Sequence, residues 1–156
     1  MNTEESMGKS GEILQMCRDK GIEMIDFKMT DLDGRWRHIT IPAARFSEEI
    51  FTYGIGFDGS NYGYAPVEKS DMVFIPDPAT AFIDPFVEIP TLSMTGDVCM
   101  IGEKENRPFD QYPRNVSLRA AEYMRQTGIA DEMVIGPEFE FHILDEVRFQ
   151  VEPKAG

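Results

Sequence analysis

Basic residues are scarce in this chain. Its 156 residues hold 15 Lys and Arg against 28 Asp and Glu, a formal net charge of −13. Nucleic-acid phosphates are held by Lys and Arg clusters, so this deficit, with a pI near 4.5, excludes nucleic acid as a non-specific partner. Long apolar runs are missing as well. No stretch approaches the ~18–20 residues a membrane span requires, so no membrane partner is expected. Met1 to Ser10 is polar and has no apolar signal region. The two cysteines, Cys17 and Cys99, stand far apart with no C-x-x-C pairing. That usage fits reduced, packed thiols in a cytoplasmic protein. With only His38 and His142 present, a histidine-based nucleophilic triad has few ways to be built.

What is present describes a globular chain. Its hydrophobic content of 42% is too high for a charged disordered polymer. The length suits one domain, or one and a fragment of another. Eight of the ten prolines lie between Pro42 and Pro113, which punctuates the middle of the chain with turns. Ile13, Leu14, Met16 and Cys17 recur at helical spacing and predict a helix over 10–20, with Gly21 as its left-handed cap. Ile25 to Met29 alternates as a half-buried strand does, and Asp31-Leu32-Asp33-Gly34 predicts a turn into a return strand, Trp36 to Ile41. Ser47 followed by two glutamates reads as the N-cap of a short helix stopped by Gly54. Thr91 to Thr95 alternates as a strand. After a polar linker over 102–113, Val116, Ala120, Tyr123, Met124 and Thr127 share one face of a predicted helix capped by Gly128. A final strand is predicted from Val134 to Leu144. The fold class is α+β, with a small mixed sheet first and a second unit starting near residue 113.

Three segments could carry chemistry. In Glu138-Phe139-Glu140-Phe141-His142-Ile143, read as a strand, Glu138, Glu140 and His142 share one face and the apolar residues the other. Neighbouring carboxylates repel unless a cation lies beside them, and hard ions such as Mg²⁺ or Mn²⁺ prefer oxygen ligands. A solvated strand face produces the same alternation, so both readings stand at this point. The glycine-rich loop from Gly54 to Tyr64 surrounds Asp58 with hydroxyl and amide groups, which suits either a binding loop or an ordinary connection. It matches neither a Walker A loop nor the dinucleotide fingerprint. Glu68 to Val73 is an acidic turn entering a strand.

Together the segments resemble the glutamine synthetases. Phe57-Asp58-Gly59-Ser60, Ser70-Asp71-Met72, Pro76-Asp77-Pro78, Ile83-Asp84-Pro85-Phe86, Gly128-Ile129-Ala130-Asp131 and Gly136-Pro137-Glu138-Phe139-Glu140-Phe141 occur in that family's order and spacing. His38-Ile39-Thr40-Ile41-Pro42-Ala43 is similar to the hairpin return strand of its type I prokaryotic branch. The resemblance implies a β-grasp-like N-terminal domain over 1–112. An incomplete start of the catalytic domain, its first helix and strand, would follow over 113–156. It also implies an enzyme that joins ammonia to glutamate with ATP, through γ-glutamyl phosphate, using Mg²⁺ or Mn²⁺. By motif match Glu138 and Glu140 become metal ligands. Asp58 becomes the ammonium-site aspartate, on a loop reaching into a neighbouring subunit of a homo-oligomeric ring, with Asn61 beside it at the substrate.

The sequence departs from the family pattern in places. Asn61 replaces a common serine, Tyr64 lies near a common tryptophan, His142 replaces phenylalanine, and Gln111-Tyr112-Pro113-Arg114 replaces the usual Asp-Pro-Arg. The loop also reads one residue short. The resemblance places the ATP pocket, the glutamate-binding arginine and the other metal ligands beyond Gly156, so the isolated chain is expected to be inactive. The alternatives are a γ-glutamyl ligase for another amine, or a non-catalytic subunit that regulates the full-length enzyme.

Overall fold

The computed structural model describes residues 3–103 and 105–150. Helix α1 (Thr3–Asp19) precedes the hairpin of β1 (Met24–Thr30) and β2 (Trp36–Pro42). Helix α2 (Glu49–Tyr53), β3 (Ile55–Asp58) and β4 (Asp71–Pro76) follow, then β5 (Phe82–Ile83), β6 (Thr91–Met100), β7 (Arg107–Pro108) and α3 (Pro113–Thr127).

The strands form one mixed sheet in the order β2-β1-β6-β4-β3, with β5 and β7 also paired to β6. Its β1–β6 pair is parallel and the others antiparallel. Strand β6 changes partners along its length. Thr91 to Thr95 lie against β1, whereas Gly96 to Met100 lie against β4. At the handover a Cβ on Gly96 would come within 2.7 Å of Pro76 Cα and 2.8 Å of the Phe74 ring, so glycine alone lets the strands cross this closely.

Alternation sorts the β1 side chains. Ile25, Phe27 and Met29 are fully buried and pack with Met72, Phe74, Leu92 and Met94 beneath Ile13 and Cys17 of α1. The β1–β2 turn forms as expected. Gly34 takes φ 83°, and the buried Asp31 carboxylate accepts from Asp33 N, Arg35 N and Arg37 Nε at 3.0, 2.8 and 2.7 Å. Gly21 and Gly128 end α1 and α3 in the left-handed region, as read from the sequence. Both cysteines are buried free thiols.

Three expectations are corrected. Helix α1 starts at Thr3 rather than near residue 10, because apolar periodicity marks only its second half, where Ile13, Leu14, Met16 and Cys17 stand. Ser47 is not the cap of α2. The N-cap is Glu48, with no side-chain hydrogen bond, and Ser47 contributes its carbonyl to Ile50 N. Val134 to Leu144 forms no strand, because it has no ladder partner among the described residues. Its apolar side chains remain exposed, Phe139 at 85% and Phe141 at 78%. The apolar positions Val116 and Tyr123 of α3 are likewise exposed. Polar contacts hold the start of α3: Asn115 Nδ2 donates to the carbonyls of Val98 and Phe109 at 3.1 and 3.0 Å.

Candidate functional site

The loop after β3 is the most tightly built of the sequence-predicted sites. Strand β3 pairs with β4 so that Asp58 stands opposite Asp71. The chain then turns through a 3-10 segment, Gly59–Tyr62, closed by Gly63 at φ 73°. Gly59 N donates to Ser70 O at 2.7 Å, and a Cβ on Gly59 would lie 2.6 Å from Met72 Sδ. An aromatic cluster braces the far side. Tyr64 is buried against Phe57, Tyr62, Phe109 and Tyr112, and its hydroxyl donates to Thr30 O at 2.8 Å. Burial pushes the Tyr64 phenol far above its ordinary pKa, so it stays protonated. The Tyr62 hydroxyl donates to His38 O at 3.2 Å.

This brace leaves Asp58 exposed at the rim, with Asn61 also exposed in the same turn. Asp58 Oδ1 accepts from Ser60 Oγ at 2.7 Å and from Ser60 N at 2.9 Å. The Ser60 hydroxyl is the main cause that holds the Asp58 carboxyl below its usual pKa, with the Ser70 side chain and Ser60 N–H adding to it. A carboxylate that stays ionised, faces outward and rests on a rigid loop can bind a cation supplied from outside its own fold.

Glu138, Glu140 and His142 are all exposed on the segment after α3. The carboxylate oxygens of Glu138 and Glu140 suit Mg²⁺ or Mn²⁺. Among the described residues no three of His, Cys, Asp and Glu converge as a complete metal cluster, so the two carboxylates are at most part of a ligand set. The third segment is structural in this chain. Ser70 is buried, and its hydroxyl donates to Val67 O at 2.9 Å.

Sequence reasoning missed the partners of several motif aspartates. Asp77 Oδ1 accepts from Ala79 N at 3.0 Å, and its Oδ2 accepts from Arg114 Nη2 at 2.5 Å. Arg114 Nε also donates to Asp97 Oδ1 at 2.9 Å, clamping α3 to the sheet. Asp84 is buried and pairs with Lys28 Nζ at 2.5 Å, while Ser93 Oγ and Phe86 N also donate to it. Asp26, 7% exposed, accepts from Thr40 Oγ1 at 2.6 Å and pairs with His38 Nδ1 at 2.7 Å. Asp26, Lys28, His38 and Asp84 line a groove of about 610 Å³ bordered by Trp36, Phe82 and Phe86. The only local signal was a charged residue at alternate positions of β1, which a solvated face produces equally well.

The family described as "Glutamine synthetase, beta-Grasp domain" matches residues 21–101. A glutamine synthetase of Frankia alni is 42% identical over 146 residues, covering 93% of this chain and 30% of the relative. A 3-hydroxylaminophenol mutase of Cupriavidus pinatubonensis is 37% identical over 142 residues, covering 90% of this chain and 30% of the relative. A solved chain described as "GmaS/ADP complex-Conformation 1" superposes with TM-score 0.64 at 27% identity, covering 73% of this chain and 25% of that one. Plasmodium falciparum glutamine synthetase superposes with TM-score 0.64 at 18% identity, covering 76% of this chain and 23% of that one, a likeness of fold. The chain thus spans under a third of the length of these curated relatives.

Proposed function

This chain belongs to the glutamine synthetase family through its beta-Grasp domain, and from that premise we propose that it is the N-terminal portion of an ATP-dependent ligase joining ammonia to glutamate. One observation carries the reading: Asp58 is exposed, held ionised and rigidly supported, within the motif that matches the family's ammonium site.

In this reading the reaction passes through a γ-glutamyl phosphate, and the amine nitrogen displaces phosphate at the acyl carbon. Asp58 holds the amine as its cation beside a neighbouring subunit's active site, and Asn61 contacts the same substrate. That arrangement makes a homo-oligomeric ring necessary for activity. Glu138 and Glu140 supply two carboxylates to the Mg²⁺ or Mn²⁺ sites, and the remaining ligands come from outside this chain. When bound, the divalent ions offset the charge of the transferring phosphoryl group. Residues 1–112 form the β-grasp unit in this reading, and 113–156 open the catalytic domain. The ATP pocket lies outside the chain, and the cytoplasm is the proposed compartment.

The test has three parts. The purified chain, given glutamate, ammonium, ATP and Mg²⁺, makes no glutamine, whereas the longer protein that carries it does. In that longer protein Asp58→Ala raises the KM for ammonium, and Glu138→Ala or Glu140→Ala weakens Mn²⁺ binding. Turnover by the isolated chain overturns the reading of it as a portion; unchanged values in the variants overturn the residue roles.

A second reading, a γ-glutamyl ligase for a larger amine, is favoured by the exposed Asn61 beside Asp58. A relative 37% identical is named for a different reaction, 3-hydroxylaminophenol mutase, so likeness to the family does not by itself fix the substrate. A panel of amines offered to the longer protein separates the two, and exclusive use of ammonium eliminates the second.

A further inference from the structure

The two oxygens of the Asp58 carboxylate are not equivalent. Ser60 N and Ser60 Oγ both donate to Oδ1, at 2.9 and 2.7 Å, while the Ser70 side chain also acts on the carboxylate although its hydroxyl proton goes to Val67 O at 2.9 Å. Asp71 stands across the ladder, and Glu68 and Lys69 lie in the turn before it, yet none of the three is bonded to Asp58. The terminal torsion of an aspartate is broad and nearly two-fold, so an unrestrained carboxylate exchanges its oxygens freely. Two donors on one oxygen break that symmetry. They also satisfy Oδ1, so an outside donor meets the carboxylate at Oδ2.

We propose that Ser60 is a positioning residue for Asp58: by giving both its N–H and its hydroxyl proton to Oδ1, it fixes the carboxylate and leaves Oδ2 to meet an ammonium-type cation. This rests on the reading of Asp58 as the amine-binding aspartate and adds the device that aims it. The hydroxyl and the N–H can be separated by mutation. Ser60→Ala removes the hydroxyl and keeps the backbone donor, so the turn retains its cap. Ser60→Thr keeps both donors and adds a methyl group at a partly exposed position.

In the longer ligase, Ser60→Ala raises the KM for ammonium about three- to tenfold, the scale of one hydrogen bond to a charged group at an exposed site. The KM values for ATP and glutamate stay unmoved, and Ser60→Thr restores the ammonium KM. In the 156-residue chain itself, a carboxyl-carbon NMR titration of Asp58 moves upward in Ser60→Ala and returns in Ser60→Thr. An Asp58→Asn variant keeps the two premises apart. If Asp58→Asn impairs ammonium use while Ser60→Ala behaves as the wild type, the positioning role is overturned alone. If Asp58→Asn leaves the ammonium KM unchanged, the loop is not an amine site and the proposal falls with that reading.

Discussion

Tyr64 and Tyr112 pack edge to face, with ring centroids 6.1 Å apart and planes at 80°, and both are buried. A tyrosine in the loop that carries Asp58 packs on a tyrosine that caps α3. The N-cap residue of α3 thus bears on how the candidate amine loop is supported, although about fifty residues of chain intervene.

The cluster gives the first prediction. Tyr64→Phe keeps the ring packing and loses only the bond to Thr30 O, so it costs about 1 kcal/mol of stability. Tyr64→Ala also empties the cluster and costs about 3–5 kcal/mol, the range for a buried aromatic truncation. Urea unfolding of the two variants checks the order. Equal losses would show that the ring contacts contribute little.

A second prediction compares two glycines. A Cβ at Gly96 meets the Pro76 backbone, which cannot move without disturbing the β4–β6 ladder, whereas a Cβ at Gly59 meets only the flexible Met72 side chain. Gly96→Ala therefore destabilises by about 3 kcal/mol or more, and Gly59→Ala by about 1–2 kcal/mol. Thermal unfolding ranks them, and the reverse order would contradict the packing described at the handover.

The third prediction concerns acid. The Lys28 ammonium, followed by the Phe86 N–H, holds the Asp84 carboxyl below its usual range. A carboxyl with a depressed folded-state pKa adds stability that is fully present above its unfolded value, about 3.9, and is lost as pH falls through the folded value. Melting temperature should fall as pH drops below about 4. Asp84→Asn should lower stability at neutral pH and flatten that fall. An acid dependence identical to the wild type would show that Lys28 and Asp84 are not coupled.

Features confined to a few neighbouring residues were legible in the sequence. The Asp31–Gly34 turn and the glycine caps at Gly21 and Gly128 follow from local backbone chemistry, and the strand β1 from simple alternation. Ser47 shows the limit of such rules, since a good capping residue stands one position outside the cap that forms. Val134 to Leu144 shows another, because alternation marks a chain able to pair, and pairing needs a second strand. Within the candidate site, Asp58 and its loop could be singled out from composition and motif. The two hydrogen bonds from Ser60 to one carboxylate oxygen could not, since they depend on the rotation of single side chains.

The order of its motifs placed this chain in its family, and local turn chemistry set where its hairpin and helices end. Only the tertiary structure decided what each aspartate does. Asp26, Asp31, Asp58, Asp77 and Asp84 are chemically identical, and although the motif singles out Asp58, the local pattern does not say which partner each carboxylate meets. The fold brings Lys28 to Asp84, Arg114 to Asp77, and His38 with Thr40 to Asp26, so those carboxylates are consumed as anchors. Asp31 is consumed by its own turn. Asp58 alone of the five is left exposed, because the strands and aromatic rings around it brace the backbone and leave its side chain at the rim.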